Sequence, residues 1–218
     1  MKIKKIILIL SILVVSMLNI GSDFKEYKTL KNNKSPIIKK ENLPDEFSDE
    51  TYNLIIDFIE KTRQLDYEWI LYFDYCTGEI LKCVKGKSEE VIVTFDENEF
   101  KNNPVASIHN HPKNILSPPS AKNFGILKRA FDDYELIAGL EYFWILKAKG
   151  LHEHLIEDMN RASEIAFDVS YIFCINHYKK GSVFNKMQDL RYGYELLKYI
   201  NDENISDIQL TKLEYQYE

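Results

Sequence analysis

The chain has 218 residues, of which 45% are hydrophobic and 28% are charged, and its formal net charge at pH 7 is −6. This length and composition are typical of a soluble globular protein with one good hydrophobic core and appended helices. The excess of acidic residues argues against binding to a nucleic-acid backbone, which needs clustered lysine and arginine side chains.

A basic and apolar segment precedes the globular sequence. Three lysines in the first five residues are followed by a run from Ile6 to Ile20 that two serines and one asparagine interrupt. A run of 15 residues is short for a membrane span and typical of a signal-peptide core. Because residues 19–22 offer no AxA cleavage pattern, an uncleaved membrane anchor is an alternative interpretation of this segment. A buried segment of a cytoplasmic domain is a third interpretation. We expect residues 1–22 to be a signal peptide or N-terminal anchor, with the remaining chain exported.

Residues 23–47 are predicted to be a solvated linker. The lysines from Lys28 to Lys40 form the main basic cluster of the sequence and lie among Asn, Ser and Pro residues. Such a stretch can also contact anionic lipid headgroups, which would add a membrane association to that of the leader.

The pattern of residues 48–150 predicts one α/β domain. Ser48 or Asp49 can cap a helix that ends near Gln64. Runs with strand character follow at 68–73, 79–84, 91–95, 105–111, 134–139 and 142–148, with a helix at 120–131 between the fourth and fifth runs. This order predicts an α/β sandwich of a mixed sheet and flanking helices.

Residues 151–218 are predicted to form an antiparallel helical hairpin and a tail. Apolar residues recur at helical spacing from Leu155 to Phe173 and from Val183 to Leu197, and a Lys-Lys-Gly sequence separates the two stripes. His177 is expected to interact with the last carbonyl groups of the first helix. The tail, residues 207–217, can add an edge strand or remain mobile.

The three cysteines leave two interpretations open. Cys76 and Cys83 flank a hairpin turn and can pair in an exported protein, with Cys174 left over. All three can equally be small, buried hydrophobic residues. Because the sequence has no CxxC motif, a cysteine-based zinc site is excluded.

The stretch from Val105 to Ile126, VASIHNHPKNILSPPSAKNFGI, carries the clearest chemical pattern. Alternate side chains of a strand share a face, so His109 and His111 can reach one cation. Ser120 follows as an N-cap and puts Asn123 in the first turn of a helix that faces back to the strand end. Two histidines are half of a catalytic zinc site, although an isolated HxH is also common among ordinary polar residues at strand ends.

These residues resemble the JAMM (JAB1/MPN/Mov34) metallopeptidase-like family, whose core pattern is a glutamate, then HxHP, then SxxD. The bacterial and phage branch of that family has a YE pair, an apolar strand, an Asp and a T-G turn before the histidines, and here Tyr67-Glu68, Asp74 and Thr77-Gly78 match it. The resemblance covers about residues 66–149 and implies a cytidine-deaminase-like mixed-sheet sandwich. Asn123 stands where the family has its third ligand, an aspartate.

The resemblance implies a zinc-dependent peptidase or isopeptidase-like hydrolase. Zn²⁺ would be held by His109, His111 and Asn123, and its bound water would be the nucleophile. Glu68 would be the general base, and Ser120 would donate a hydrogen bond to the oxyanion of the tetrahedral intermediate. The implied substrates are peptides or proteins, including conjugates of ubiquitin-like tails and, for an exported protein, cell-wall peptides.

Asn123 also supports an alternative function, a catalytically degenerate JAMM-like binding module. A neutral amide oxygen gives up the charge attraction that an aspartate would offer to zinc. Asn123 can coordinate weakly, Asp132 or Asp133 can take its place, or the domain can have lost its metal.

Other candidates for the site have simpler interpretations. Ser117 can take either role of Ser120, and Glu68 can be a solvent-facing carboxylate at a strand end. His152 and His154 form a second HxH, but residues two apart on a helix point about 200° apart, so we discount them as ligands.

Overall fold

A computed structural model describes residues 22–31, 37–88, 91–94, 100, 103–112, 118–119, 132–148, 155–202 and 208–216. The helices are α1 (22–29), a short 3-10 turn (Lys40–Asn42), α2 (Asp49–Thr62), α3 (Leu155–His177) and α4 (Ser182–Asp202). The strands are β1 (Trp69–Asp74), β2 (Ile80–Lys85), β3 (Val105–Asn110), β4 (Asp132–Ala138), β5 (Tyr142–Ala148) and β6 (Ile208–Glu214).

The six strands form one mixed sheet in the order β2-β1-β3-β4-β5-β6. Strands β3 and β4 are parallel, and the other neighbouring pairs are antiparallel. The predicted α/β class, with a mixed sheet and a C-terminal helical hairpin, is confirmed at this level.

The start of α2 packs closely against the β1–β2 turn. The Ser48 hydroxyl accepts a hydrogen bond from the Thr51 amide at 3.0 Å and caps α2. In the turn, Asp74 Oδ1 accepts hydrogen bonds from the amides of Cys76 and Thr77 at 2.9 and 3.0 Å. Gly78 has φ 72°, and a Cβ atom there would lie 2.8 Å from the backbone of Glu50. The Asp and T-G residues therefore have a structural role, whatever the protein does.

The two faces of the sheet carry different layers. One face packs against α2 through a core that includes Phe58, Trp69, Leu71 and Ile108. The other face, over β4 and β5, packs against α3 and α4 through a second core, which consists of Ile137, Trp144, Leu146, Ala162, Ala166, Tyr192, Leu196 and Ile200. This second face also carries the histidines.

The prediction of a solvated linker at 23–47 is wrong for the described part of that range. Tyr27, Ile38, Leu43 and Phe47 are buried in the first core, and the Tyr27 hydroxyl donates to Asp57 at 3.1 Å. Phe24, Tyr27 and Leu30 recur every third residue in and just after α1, a pattern too short to predict a helix by itself, whereas Ile38, Leu43 and Phe47 follow no helical or strand period.

The prediction of a strand at 91–95 is also wrong for its described residues. Residues 91–94 alternate in burial, and Val91 and Val93 pack beside Ile70 and Tyr72, but they form no strand. The alternation in burial comes from the packing of these side chains on the sheet. Lys82 Nζ of β2 donates a hydrogen bond to the carbonyl of Thr94 at 2.7 Å and so holds this segment to β2.

The C-terminal tail and the cysteines bear on the remaining predictions. The tail forms the edge strand β6, and Tyr215 donates to the Gly139 carbonyl at 3.0 Å, so the C-terminal segment shares the sheet of residues 48–150. The cysteines are free thiols, with Cys83 and Cys174 buried and Cys76 exposed. The leader and the helix predicted at 120–131 lie outside the described residues. Among the residues described, no helix is long and apolar enough to cross a membrane.

We expect Gly193→Ala to lower the melting temperature. A Cβ atom at position 193 of α4 would lie 2.9 Å from Cη2 of the fully buried Trp144 and 3.2 Å from Cγ of Pro118. Overpacking of this kind costs about 1–3 kcal/mol, which exceeds the gain of up to about 1 kcal/mol in helix propensity. Asn185→Ala, at an exposed position of the same helix, is the control and should leave the melting temperature unchanged or slightly raised. A Gly193→Ala protein that is more stable than the wild type would contradict the close approach of α4 to the sheet.

Candidate functional site

A group of buried polar residues lies on the face of the sheet that α3 and α4 partly cover. His109 is in register with Ile70 of β1 and Ile137 of β4, and Ser107 is in register with Tyr72 and Glu135. Side chains of registered residues share a face and alternate along each strand. Buried polar residues on this face near the histidines include Glu68, Ser107, His109, His111 and Glu135.

The two histidines lie side by side at the end of β3. Their ring centroids are 5.2 Å apart with an interplanar angle of 46°, and the residues are only 3% and 6% exposed. Two imidazole nitrogens bound at 2.0–2.1 Å to one tetrahedral zinc ion put the ring centroids roughly 5 Å apart. The observed spacing of His109 and His111 therefore fits two ligands of one cation.

Burial controls the protonation of His109. Burial, together with the nearby His111, holds the pKa of His109 well below its usual range, so its imidazole is neutral at pH 7. A neutral imidazole is the form that binds a metal ion.

Glu135, which the sequence analysis missed, lies against the first histidine. Its side chain is fully buried on β4, and its Oε1 atom is 3.3 Å from Nδ1 of His109, although the two atoms are not aligned as a hydrogen bond. A carboxylate that accepts a hydrogen bond from Nδ1 would favour the tautomer that leaves Nε2 available. One feature of the sequence could have predicted this role. Glu135 is the single acidic residue inside the apolar run Tyr134 to Ala138, and an acidic side chain is seldom fully buried without a partner.

Glu68 lies on the same face as the histidines, just before β1. Its amide donates to the carbonyl of Lys87 and its carbonyl accepts from the amide of Gly86, at 2.9 and 2.8 Å, so it extends the β1–β2 pairing. The β1–β3 pairing ends at Ile70 and His109, because the next amide, that of Trp69, bonds to the Asn110 side chain, so Glu68 and His111 each lie two residues beyond the last paired residues at the same end of the sheet. Because Glu68 is only 8% exposed, the alternative of a solvent-facing carboxylate is wrong.

Asn110, between the two histidines, points to the opposite face and connects three segments. Its Oδ1 accepts from the amide of Trp69 at 2.7 Å, and its Nδ2 donates to the carbonyls of Thr62 and Tyr67 at 3.2 and 3.0 Å. These bonds hold the end of α2 and the residues around Glu68 against the histidine strand. They therefore set the position of Glu68 relative to His109 and His111.

The hairpin reaches the segment that follows the histidines. The Tyr192 hydroxyl of α4 donates to the carbonyl of Pro119 at 3.1 Å, and Pro118 and Pro119 are buried. Helix α4 thus holds the chain one residue before Ser120.

Several predicted site residues lie outside the described residues. They are Ser117, Ser120, Asn123, His152 and His154. Within the described ranges, no three His, Cys, Asp or Glu side chains are close enough to hold one metal ion.

Asp132 and Asp133 are wrong as substitutes for the third ligand. On β4, Ile137 is in register with His109, and Asp132 is in register with Val105 at the other end of β3. Asp133 therefore lies four residues along β4 from the position of His109, which is a distance of about 13 Å. The exposed Asp133 instead accepts a hydrogen bond from the Tyr75 hydroxyl at 2.9 Å.

We expect Asn110→Ala to destabilise the protein by about 2–4 kcal/mol, because it leaves buried backbone groups of residues 62, 67 and 69 without their partner. Urea unfolding followed by circular dichroism measures this loss. Asn103→Ala removes an exposed asparagine just before the same strand and should change the free energy of unfolding by less than about 0.5 kcal/mol. Equal effects of the two substitutions would contradict the role of Asn110.

Comparisons of this chain with protein-family models, with curated proteins and with solved structures found no match.

Proposed function

We propose that this protein is a zinc-dependent peptidase or isopeptidase-like hydrolase with a JAMM-like fold, exported or anchored through its N-terminal segment. The observation that carries the proposal is the side-by-side arrangement of His109 and His111 at the end of β3, with Glu68 just before the neighbouring strand β1 and on the same face of the sheet. The mixed sheet, with its histidines at the end of a central strand, agrees with the fold that the sequence resemblance implies.

The described residues fit two ligands of a zinc site, His109 and His111, and a carboxylate beside one of them, Glu135. His109 and His111 would hold the ion through one nitrogen each, and the nearby carboxylate of Glu135 would support the required tautomer of His109 by accepting a hydrogen bond from Nδ1. Asn123, outside the described residues, is the sequence's candidate for the third ligand. When bound, zinc acts as a Lewis acid that lowers the pKa of a water ligand to about 7 and polarises a carbonyl group.

The side chains around the histidines then have distinct tasks in peptide hydrolysis. Glu68 would take the proton from the attacking water and pass it to the nitrogen of the leaving amine. Ser120 would donate its hydroxyl hydrogen to the oxyanion that forms from the substrate carbonyl. The burial of Glu68 would favour proton transfer, because little water competes for the carboxylate.

The alternative is a binding module without turnover, and it rests on the neutral Asn123. In that case the histidines and carboxylates would be a retained polar group of the sheet. Metal content separates the two functions, since the binding module needs no zinc.

We expect protein purified without chelator to contain about one zinc ion per chain, as measured by inductively coupled plasma mass spectrometry. The double variant His109→Ala and His111→Ala should lose the ion. His177→Ala should keep it, because His177 is an exposed histidine whose Nδ1 contacts the carbonyl of Phe173 at 2.7 Å. Glu68→Gln should keep the zinc and lose peptidase activity by a factor of at least about 100. Wild-type protein without zinc would exclude the hydrolase and favour the binding module.

We expect Glu135→Gln to weaken zinc affinity about 10- to 100-fold, since the amide is a poorer partner for Nδ1 of His109. Competition with a chromogenic chelator measures the affinity. Glu141→Gln is a matched control, because Glu141 lies at the β4–β5 turn and pairs with Lys186 at the surface. An unchanged affinity in Glu135→Gln would mean that the carboxylate does not support a ligand.

A further inference from the structure

Helix α1 begins at the end of the sheet that carries the histidines. Oδ2 of Asp23, in its first turn, accepts a hydrogen bond at 3.1 Å from the amide of Lys85, the last residue of β2. Lys85 is in register with Trp69, and the Trp69 amide bonds to the side chain of Asn110, which stands between the two histidines. Two strand spacings of about 4.8 Å separate β2 from β3, so Asp23 lies roughly 15 Å from the histidine end of β3.

The chain leaves this end of the sheet as it continues from α1. The Tyr27 ring, which is 1% exposed, packs against the ring of Phe58 with 6.1 Å between the centroids. Further along, the carbonyl of Ile38 accepts a hydrogen bond from the hydroxyl of Tyr52 at 3.1 Å. Tyr52 is in the first turn of α2, which packs against the β1–β2 turn at the opposite end of the sheet. The first residues of α1 are therefore the part of this segment nearest to the site.

Helix α1 follows the apolar N-terminal run without a tether. The run ends at Ile20 and α1 begins at Ser22, and two residues span at most about 7 Å. Helix α1 is itself fixed to the fold by the buried Tyr27 and by an ion pair of Glu26 with Lys85 at 2.5 Å. A membrane anchor formed by the run would therefore hold the domain close to the bilayer, with the histidine end of the sheet nearest to it.

Half-buried aromatic rings and lysines surround the start of α1. The ammonium nitrogen of Lys28 lies 4.3 Å from the centroid of the Phe24 ring. The ammonium nitrogen of Lys85 lies 4.7 Å from the centroid of the ring of Tyr67, which directly precedes Glu68. Aromatic rings with lysine side chains that extend along them to water are common where a protein meets a bilayer. The surface beside the site therefore has side chains suited to a membrane interface.

The charges of this surface also allow it to approach anionic lipid. The chain as a whole has a formal net charge of −6. Around the start of α1 the exposed lysines nevertheless outnumber the exposed acidic residues, with Lys25, Lys28, Lys85 and Lys87 against Glu26 and Asp66. Asp23 adds a half-buried carboxylate, which is bonded to the Lys85 amide. Lysines near an anionic membrane surface are attracted to it, so this end of an otherwise acidic protein is not repelled.

We infer that the histidine end of the sheet faces the bilayer that anchors residues 6–20, and that the candidate site acts on proteins anchored in the same membrane. The second part rests on the proposed hydrolase, whereas the first part does not. The histidines lie at most about 25 Å from the end of the apolar run, a distance that about seven extended residues span. The substrates are therefore peptide bonds within roughly ten residues of a membrane anchor, and not the bonds of free soluble peptides.

Quenching by a lipid with a nitroxide headgroup tests the orientation of the full chain in phosphatidylcholine–phosphatidylglycerol nanodiscs. Cys76 is an exposed native thiol in the β1–β2 turn, whereas Cys83 and Cys174 are buried. Lys87→Cys in a Cys76→Ser background puts the exposed thiol at the histidine end instead. The six residues of β1 separate the two ends by about 20 Å, so a fluorophore at position 87 should be quenched at least about three times as strongly as one on Cys76. Equal quenching, or stronger quenching at Cys76, would overturn the orientation.

A flexible insertion between Gly21 and Ser22 tests the fixed distance from the anchor. About 20 inserted glycine and serine residues have an end-to-end distance of about 25 Å, which frees the domain to turn. The insertion should lower the quenching at position 87 to the level found on Cys76. It should also slow the cleavage of a lipid-anchored peptide several-fold, and leave zinc content and the cleavage of the same peptide without its lipid unchanged. The same residues added after Glu218 are the matched control and should change none of these quantities.

The outcomes separate this inference from the proposed hydrolase. Protein that contains no zinc but keeps the stronger quenching at position 87 would support the orientation and overturn the hydrolase with its substrates. A zinc hydrolase that cleaves the lipid-anchored and the free peptide equally well would overturn the assignment of membrane-anchored substrates. Loss of residues 1–20 from the mature protein, as measured by mass spectrometry of the intact chain, would overturn both parts of the inference and leave the hydrolase standing.

Discussion

The hydrogen bonds of the Asn110 side chain are the constraint on which the candidate site depends. They join the end of α2, the chain before β1 and the histidine strand at one buried point. Because Asn110 stands between His109 and His111 in a strand, its amide points to the core with α2 while both imidazoles point to the other face. One short sequence therefore anchors the strand on one side of the sheet and presents two candidate ligands on the other.

The face with the histidines is unusual because of the polar groups that it buries. Burying a carboxylate or an imidazole costs free energy unless its polar atoms find partners, and Glu135 is fully buried 3.3 Å from Nδ1 of His109. A sheet needs no such group for its stability, since apolar residues of similar size would pack without that cost. The burial of these groups on the same face as Glu68 is the physical reason for interpreting this face as a candidate site.

The C-terminal hairpin connects this face with the rest of the protein. Helix α4 approaches the sheet closely at Gly193, packs on Trp144 and holds Pro119 through the Tyr192 hydroxyl. It therefore holds the chain at Pro118 and Pro119, just before Ser120. Helix α3 packs through small residues and leaves its larger apolar side chains outward.

The sequence alone determined the α/β class, the helical hairpin and the shared face of His109 and His111, because these follow from local periodicity of 3.6 or two residues. Tertiary structure alone decided which scattered residues enter the core. Ile38 and Leu43 are buried without any period, whereas Val91 and Val93 alternate without forming a strand. It also brought Glu135 to His109 and separated Asp133 from it, since a parallel pairing of two distant strands sets both distances. No local pattern contains that register, because it depends on how the whole sheet assembles.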